Sequence, residues 1–216
     1  MSKGLVVKGK PRPKFIFLAL KVGWLAAFLL LLGSLNVHMA VNRVAGQNTD
    51  QKVFLPIILN NYPLPLVNGN FEAGHTAWTE FSGKGLMLIF EAASMAAPPH
   101  GGNWAAWLGG VDGEFAELSQ PFTVLTNLPY LVYWEYLDSA EIDCFYDTGQ
   151  VLVDLIPVSL VDFCQSNNTA GWVQRSLNLS AFAGRTVTLK FEMVTDSSFI
   201  SNWFLDDLSL QSSPAP

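Results

Sequence analysis

From Leu64 onward the chain is a succession of short apolar or alternating runs, each closed by turn residues. No stretch sustains a 3.6-residue apolar period for three helical turns. The runs are residues 78–81, 86–90, 104–108, 114–124, 130–137, 150–156, 172–177, 186–194 and 203–210. Turn chemistry separates them, as in Gly109-Gly110-Val111-Asp112-Gly113, Asn127-Leu128-Pro129 and Asp196-Ser197-Ser198. A strand buries one face only, so many short strands without helices must pair into sheets that cover each other. The sequence therefore predicts an all-β, two-sheet antiparallel β-sandwich of the jelly-roll kind over residues 64–212, with a short tail at 213–216. Residues 179–184 fit a single helical turn. In the last run, strand parity places Phe204, Asp206, Leu208 and Leu210 on one face, taken as the core side. A core of about 150 residues is a normal size for one sandwich. No internal repeat is present.

Charge divides the chain sharply. All 18 acids stand at or after Asp50, whereas the bases from there on are Lys52, Lys84, Arg175, Arg185 and Lys190. So acidic a domain lacks the basic footprint that nucleic acid requires, and no nucleic-acid partner is expected. The bases Lys3, Lys8, Lys10, Arg12 and Lys14 form a basic N-region at 1–14. It precedes an apolar run at 15–37 that carries one charge, Lys21. At ~1.5 Å per residue that run is long enough to cross ~30 Å of hydrocarbon. The basic flank predicts a cytoplasmic N-terminus and an exported remainder. Two readings stay open. One is a signal peptide whose apolar region is 22–35, although its cleavage site is poor. The other is an uncleaved anchor that makes the membrane a partner. Both place the domain outside the cytoplasm. Residues 38–63 read as an extracellular linker that ends in an apolar, proline-containing patch, Val53 to Leu59 followed by Tyr62-Pro63.

Several motifs stand in a familiar order: Asn68-Gly69-Asn70-Phe71-Glu72 with Gly74 and Trp78; His100-Gly101-Gly102-Asn103-Trp104 running to Gly110; Leu118-Ser119-Gln120; Trp172 with Leu179 to Gly184; and Leu205-Asp206-Asp207-Leu208-Ser209-Leu210. Together they resemble galactose-binding-like, carbohydrate-binding-module-like jelly rolls. The likeness is nearest to the accessory domain of immune-inhibitor-A-type bacterial metallopeptidases and to related bacterial surface proteins. It covers roughly 66–211 and implies that 68–72 open the sandwich as a strand, with Trp78 and Trp172 at core positions. It further implies a structural calcium ion held by carboxylates of Glu72 and Asp206 or Asp207 and a backbone carbonyl of Asn70. Ca²⁺ takes six to eight oxygens, and such a set can supply them. An exposed edge pair of acids is the plainer alternative.

Cys144 and Cys164 in an exported domain are expected to pair, two free buried thiols being the other possibility. In the run 130–137, Trp134 and Tyr136 have the parity opposite to Leu131, Tyr133 and Leu137. If the second set is core, the first is the best place for a sugar ring to stack, though cover for the sheet is an equal role. Glu135 then falls on the core side. The histidines His38, His75 and His100 lack metal-ligand spacing, and no nucleophile motif or phosphate loop occurs, so no catalytic residue is assigned. The chain is thus expected to be a non-catalytic extracellular binding module, for carbohydrate or a surface polymer. The alternatives are a structural or adhesive protein-contact module and a stand-alone accessory domain of a secreted protease system.

Overall fold

The computed structural model describes residues 62–216. The basic N-region, the apolar run 15–37 and nearly all of the linker lie outside the described residues. Among the described residues, no helix is long and apolar enough to cross a membrane. Ten strands follow one another: β1 (Thr79–Ser82), β2 (Ile89–Glu91), β3 (Trp104–Gly109), β4 (Phe115–Thr123), β5 (Tyr130–Ser139), β6 (Asp147–Val153), β7 (Ile156–Phe163), β8 (Val173–Asn178), β9 (Thr186–Val194) and β10 (Ser201–Gln211). They make two five-stranded sheets with orders β1-β4-β9-β6-β7 and β2-β3-β10-β5-β8. Every pairing is antiparallel. The all-β sandwich expected from the turn spacing is therefore the observed architecture.

Side-chain alternation explains why the sheets face each other. In β9, Val187, Leu189, Phe191 and Met193 are buried while the residues between them are not. Ala116, Leu118 and Phe122 of β4 and Leu131, Tyr133 and Leu137 of β5 meet them from the same core. Trp203 of β10 fills the centre, its ring 5.6 Å from both Phe163 and Phe191. Burying each such aromatic contributes about 1.5–3 kcal/mol. Gln120 is the exception in β4, and its amide explains it. Its carbonyl accepts from Val67 N and its amide donates to Val67 O, fixing the extended segment before the sandwich against β4. Thr123 and Leu64 exchange backbone and hydroxyl bonds in the same way.

Four expectations need correction. The run 150–156 is not one strand: β6 stops at Val153, Asp154 and Leu155 both take left-handed φ (51° and 67°), and an additional strand, β7, returns. No glycine marks this two-residue turn, so the break was invisible to turn chemistry. Residues 68–77 form consecutive turns rather than an opening strand. Within them Phe71 adopts φ 56°, bonds Asn68 O through its N–H, and buries its ring against Trp78. In β10 the register slips between Asp206 and Ser209, with Asp207 at φ 50°. The bulge reverses parity along the strand. Trp203, Leu205 and Leu208 face the core, while Phe204 and Asp206 point to the outer face, Asp206 opposite Trp134. The last correction is Trp172, which stands just before β8 and is half-exposed, outside the core that holds Trp78. The expected helical turn is present as a single 3₁₀ turn, Ser180–Phe182.

Candidate functional site

The outer face of the β2-β3-β10-β5-β8 sheet is paved with aromatic rings. Phe90 lies 5.5 Å from Trp107, Trp107 5.5 Å from Phe204, Phe204 5.6 Å from Tyr136, and Tyr136 6.2 Å from Trp172. The register dictates the row, because Phe204 pairs directly with Trp107 on one side and Tyr136 on the other. Phe204 is fully buried beneath its neighbours, while Phe90, Trp107, Tyr136 and Trp172 keep part of their surface in solvent. Polar groups border the row. Asn202 accepts from Trp107 Nε1 through its carbonyl and turns its amide toward Asp138. Trp134 and Tyr136 thus do lie on the face opposite the core. Trp134, however, has His100 stacked on its ring at 3.9 Å with the planes 17° apart. Parity identified one member of the row, Tyr136, and placed Trp134 on the same face. Trp107, Phe90 and Trp172 come from other strands and loops, and only strand order brings them alongside.

The loop carrying His100 is held from below. Asp206, fully buried, accepts from His100 N and Gly101 N at 3.0 Å on one carboxylate oxygen and from Asp207 N at 2.7 Å on the other. Asp207 pairs with His100 Nδ1 at 2.7 Å. Glu72 accepts from Asn103 N and Trp104 N, both at 2.8 Å. A Cβ on Gly101 would stand 2.9 Å from an Asp207 carboxylate oxygen, so a side chain there would push Asp207 off His100. The structure thus brings Glu72, Asp206 and Asp207 around residues 100–104, and leaves Asn70 exposed on the neighbouring turn. Backbone N–H groups and His100 occupy the carboxylates, which answers why a buried acid such as Asp206 is tolerated. Burial still pushes the Asp206 carboxyl up to about 7, with the Asp207 charge acting in the same direction against the three N–H donors.

Cys144 and Cys164 form the expected disulfide, with Cα atoms 4.9 Å apart. The bond fits an oxidising, extracytoplasmic setting. Beside it stand acids that sequence reasoning passed over: Glu141, Asp147 and Asp196 each place an oxygen within 4.8 Å of the others, and this buried cluster could hold a metal. They are far apart in sequence and match no ligand motif, so only the loop arrangement reveals them. The oddly placed Glu135 is also resolved. It accepts from the buried indole of Trp203 at 3.0 Å and pairs with Arg175 across β5 and β8. It lies in a cleft of about 490 Å³ between the edge strands β7 and β8.

The fold is shared with carbohydrate-binding modules. A structure of TmCBM61 in complex with β-1,4-galactotriose matches at a TM-score of 0.51 and 17% identity, over 68% of this chain and 97% of that one. The K3 cleaved adhesin domain of Lys-gingipain from Porphyromonas gingivalis matches at 0.47 and 12%, over 68% and 97%. A carbohydrate-binding module of the β-sandwich superfamily matches at 0.40 and 11%, over 65% and 59%. No family model and no curated protein matches the sequence. At these identities the likeness is one of fold, so function has to be argued from the site.

Proposed function

We propose that the domain is a non-catalytic carbohydrate-binding module whose ligand lies along the aromatic row Phe90–Trp107–Tyr136–Trp172. The row itself carries the reading: four partly exposed rings, aligned across the sheet and bordered by Asn202 and Asp138, present flat apolar faces beside hydrogen-bonding groups. Pyranose rings offer the matching surface, with axial hydrogens for the rings and hydroxyls for the polar border. The fold's likeness to a module holding β-1,4-galactotriose makes β-1,4-galactan a suitable first probe. The calcium expected from Glu72, Asp206, Asp207 and an Asn70 carbonyl belongs to the same reading. Its role would be structural, holding the turn at 70–72 against the 100–104 loop that covers Trp134.

Affinity electrophoresis of the full chain in polysaccharide gels tests the proposal. An open sheet face predicts weak binding, with a Kd nearer ~1 mM than ~1 μM. Trp107→Ala should abolish retardation and also lower the melting temperature, since the ring covers Phe204 and donates to Asn202; Tyr136→Ala gives an independent reading of the row. Trp134→Ala should instead destabilise the fold, because its ring supports His100. Unchanged retardation in Trp107→Ala and Tyr136→Ala would remove the row as the site.

One observation favours the protein-contact reading. Ile142, Phe145, Tyr146, Phe199 and Ile200 are all exposed on the two loops at one end of the sandwich, Phe145 at 86%. An apolar loop cluster of this kind suits an adhesive contact with another surface. Retention on polysaccharide that survives loss of these side chains would separate the two readings.

A further inference from the structure

The loops at that end carry the three acids noted above. Glu141 follows β5, Asp147 opens β6, and Asp196 follows β9. Their carboxylates converge to within 4.8 Å, yet the like charges have no counter-charge. None of the ion pairs among the described residues includes any of the three. Lys84, whose ammonium lies beside Gly113, donates to the Asp112 carbonyl rather than to a carboxylate.

The hydrogen bonding is incomplete as well. Asp147 Oδ1 accepts from Asp196 N at 2.7 Å, and Asp196 Oδ1 accepts from Ser198 N at 2.7 Å. Asp147 Oδ2 and Glu141 Oε1 accept from nothing, although Asp147 is fully buried and Glu141 is 2% exposed. Buried carboxylate oxygens without a donor are rare because each forfeits its hydration. Two of them within one cluster of acids point to a cation as the missing partner.

We propose that Glu141, Asp147 and Asp196 bind a calcium ion. The donors are all hard oxygens, which excludes the thiolate and imidazole chemistry favoured by zinc or copper. Magnesium is small, insists on an octahedron and keeps most of its water, so it uses one or two carboxylates. Three protein carboxylates gathered around desolvated oxygens suit calcium, with water or carbonyl oxygens completing the shell. Electrostatics agree: Asp147, Asp196, Asp143 and Asp112 all bring negative charge to bear on Glu141. A divalent ion removes that repulsion.

The ion would join the β5–β6 connection to the β9–β10 turn. The disulfide partner Cys144 lies in that same β5–β6 connection, so ion and disulfide act on one loop. Its apolar residues Ile142, Phe145 and Tyr146 stand beside Phe199 and Ile200, and Ala140 N donates to Ile200 O at 3.0 Å between the two segments. Occupancy would therefore set the rigidity of the apolar end of the sandwich.

The test uses the full chain in mild detergent, stripped with a chelator and then titrated with Ca²⁺ or Mg²⁺ by calorimetry. At about 1 mM, Ca²⁺ should raise the melting temperature, since a ligand specific for the folded state stabilises it, and Mg²⁺ should not. Glu141→Gln and Asp147→Asn should each take up one Ca²⁺ fewer than the wild type. Without metal they should melt at or above the wild-type temperature, because a buried like charge is gone. Ca²⁺ should also slow proteolysis within residues 141–146 by about tenfold in the wild type, and not in the variants. Glu72→Gln should keep the protection. If one variant fails to fold, the other and Asp196→Asn carry the comparison. An undiminished Ca²⁺ stoichiometry with loop protection that persists in these variants, or protection lost only in Glu72→Gln, overturns the proposal, as does an equal response to Mg²⁺.

Discussion

Glu135 illustrates how one residue can look misplaced in sequence and be well placed in space. Its strand neighbours Tyr133 and Leu137 face the core, and so does it, at 2% exposure. Two donors make this tolerable: the indole N–H of Trp203, in the centre of the core, and the guanidinium of Arg175 on the edge strand β8. Arg175 is half-exposed, so its loss would be less severe than in a fully buried pair, where removing one partner costs about 3–5 kcal/mol. Arg175→Ala is expected to cost about 2 kcal/mol in urea denaturation, and adding Glu135→Gln should recover part of the loss. A double variant no more stable than Arg175→Ala would contradict an uncompensated Glu135 charge as the source of the loss. Tyr133 belongs to the same environment, and burial, reinforced by the Glu135 charge, raises its phenol well above the ordinary value.

At the scale of elements, two short devices shape the sheets more than propensity does. The first is the β6–β7 turn. Asp154 suits its left-handed backbone and uses its carboxylate to accept from Thr188 N at 2.9 Å and pair with Arg185. Leu155, at φ 67° and 76% exposed, gains no compensating contact of this kind. Two-residue hairpins of this geometry favour glycine at the second position. Leu155→Gly should therefore stabilise the domain by about 0.5–1 kcal/mol, the relief of strain exceeding the entropy that glycine adds to the unfolded chain. A lower urea midpoint in the variant would contradict this. The second device is the β10 bulge. Without it, Asp206 and Phe204 would share a face with Leu208; with it, Phe204 completes the aromatic row and Asp206 anchors the loop bearing His100.

For the whole molecule, the single covalent cross-link ties the β5–β6 loop to the end of β7, a separation of 20 residues. In the chain-entropy account a loop of that size is worth about 3 kcal/mol. Reduction should lower the melting temperature cooperatively, with both sheets lost in one transition, because Trp203, Phe163 and Phe191 join them in one core. Two separate transitions would mean that the sheets unfold independently.

Much of this molecule was determined locally and could be read from the chain. The alternation of Val187, Leu189, Phe191 and Met193, the turn clusters and the absence of any long helical period pointed to a sandwich, since period-two strands without helices to cover them must bury their apolar face against other strands. The same parity placed Trp134 and Tyr136 outside the core. The cysteine pair followed from composition and export signals. What remained hidden depends on juxtaposition. The turn at Asp154-Leu155 lacks glycine, and its conformation is imposed by the strands it joins. The slip in β10 moved Asp206 to the outer face because pairing with β5, and not sequence spacing, sets register. Phe90, Trp107 and Trp172 join the row only because β2, β3, β10 and β5 lie side by side. Glu141, Asp147 and Asp196 converge for the same reason. Local patterning fixes which face each side chain takes, and tertiary pairing decides which side chains meet there.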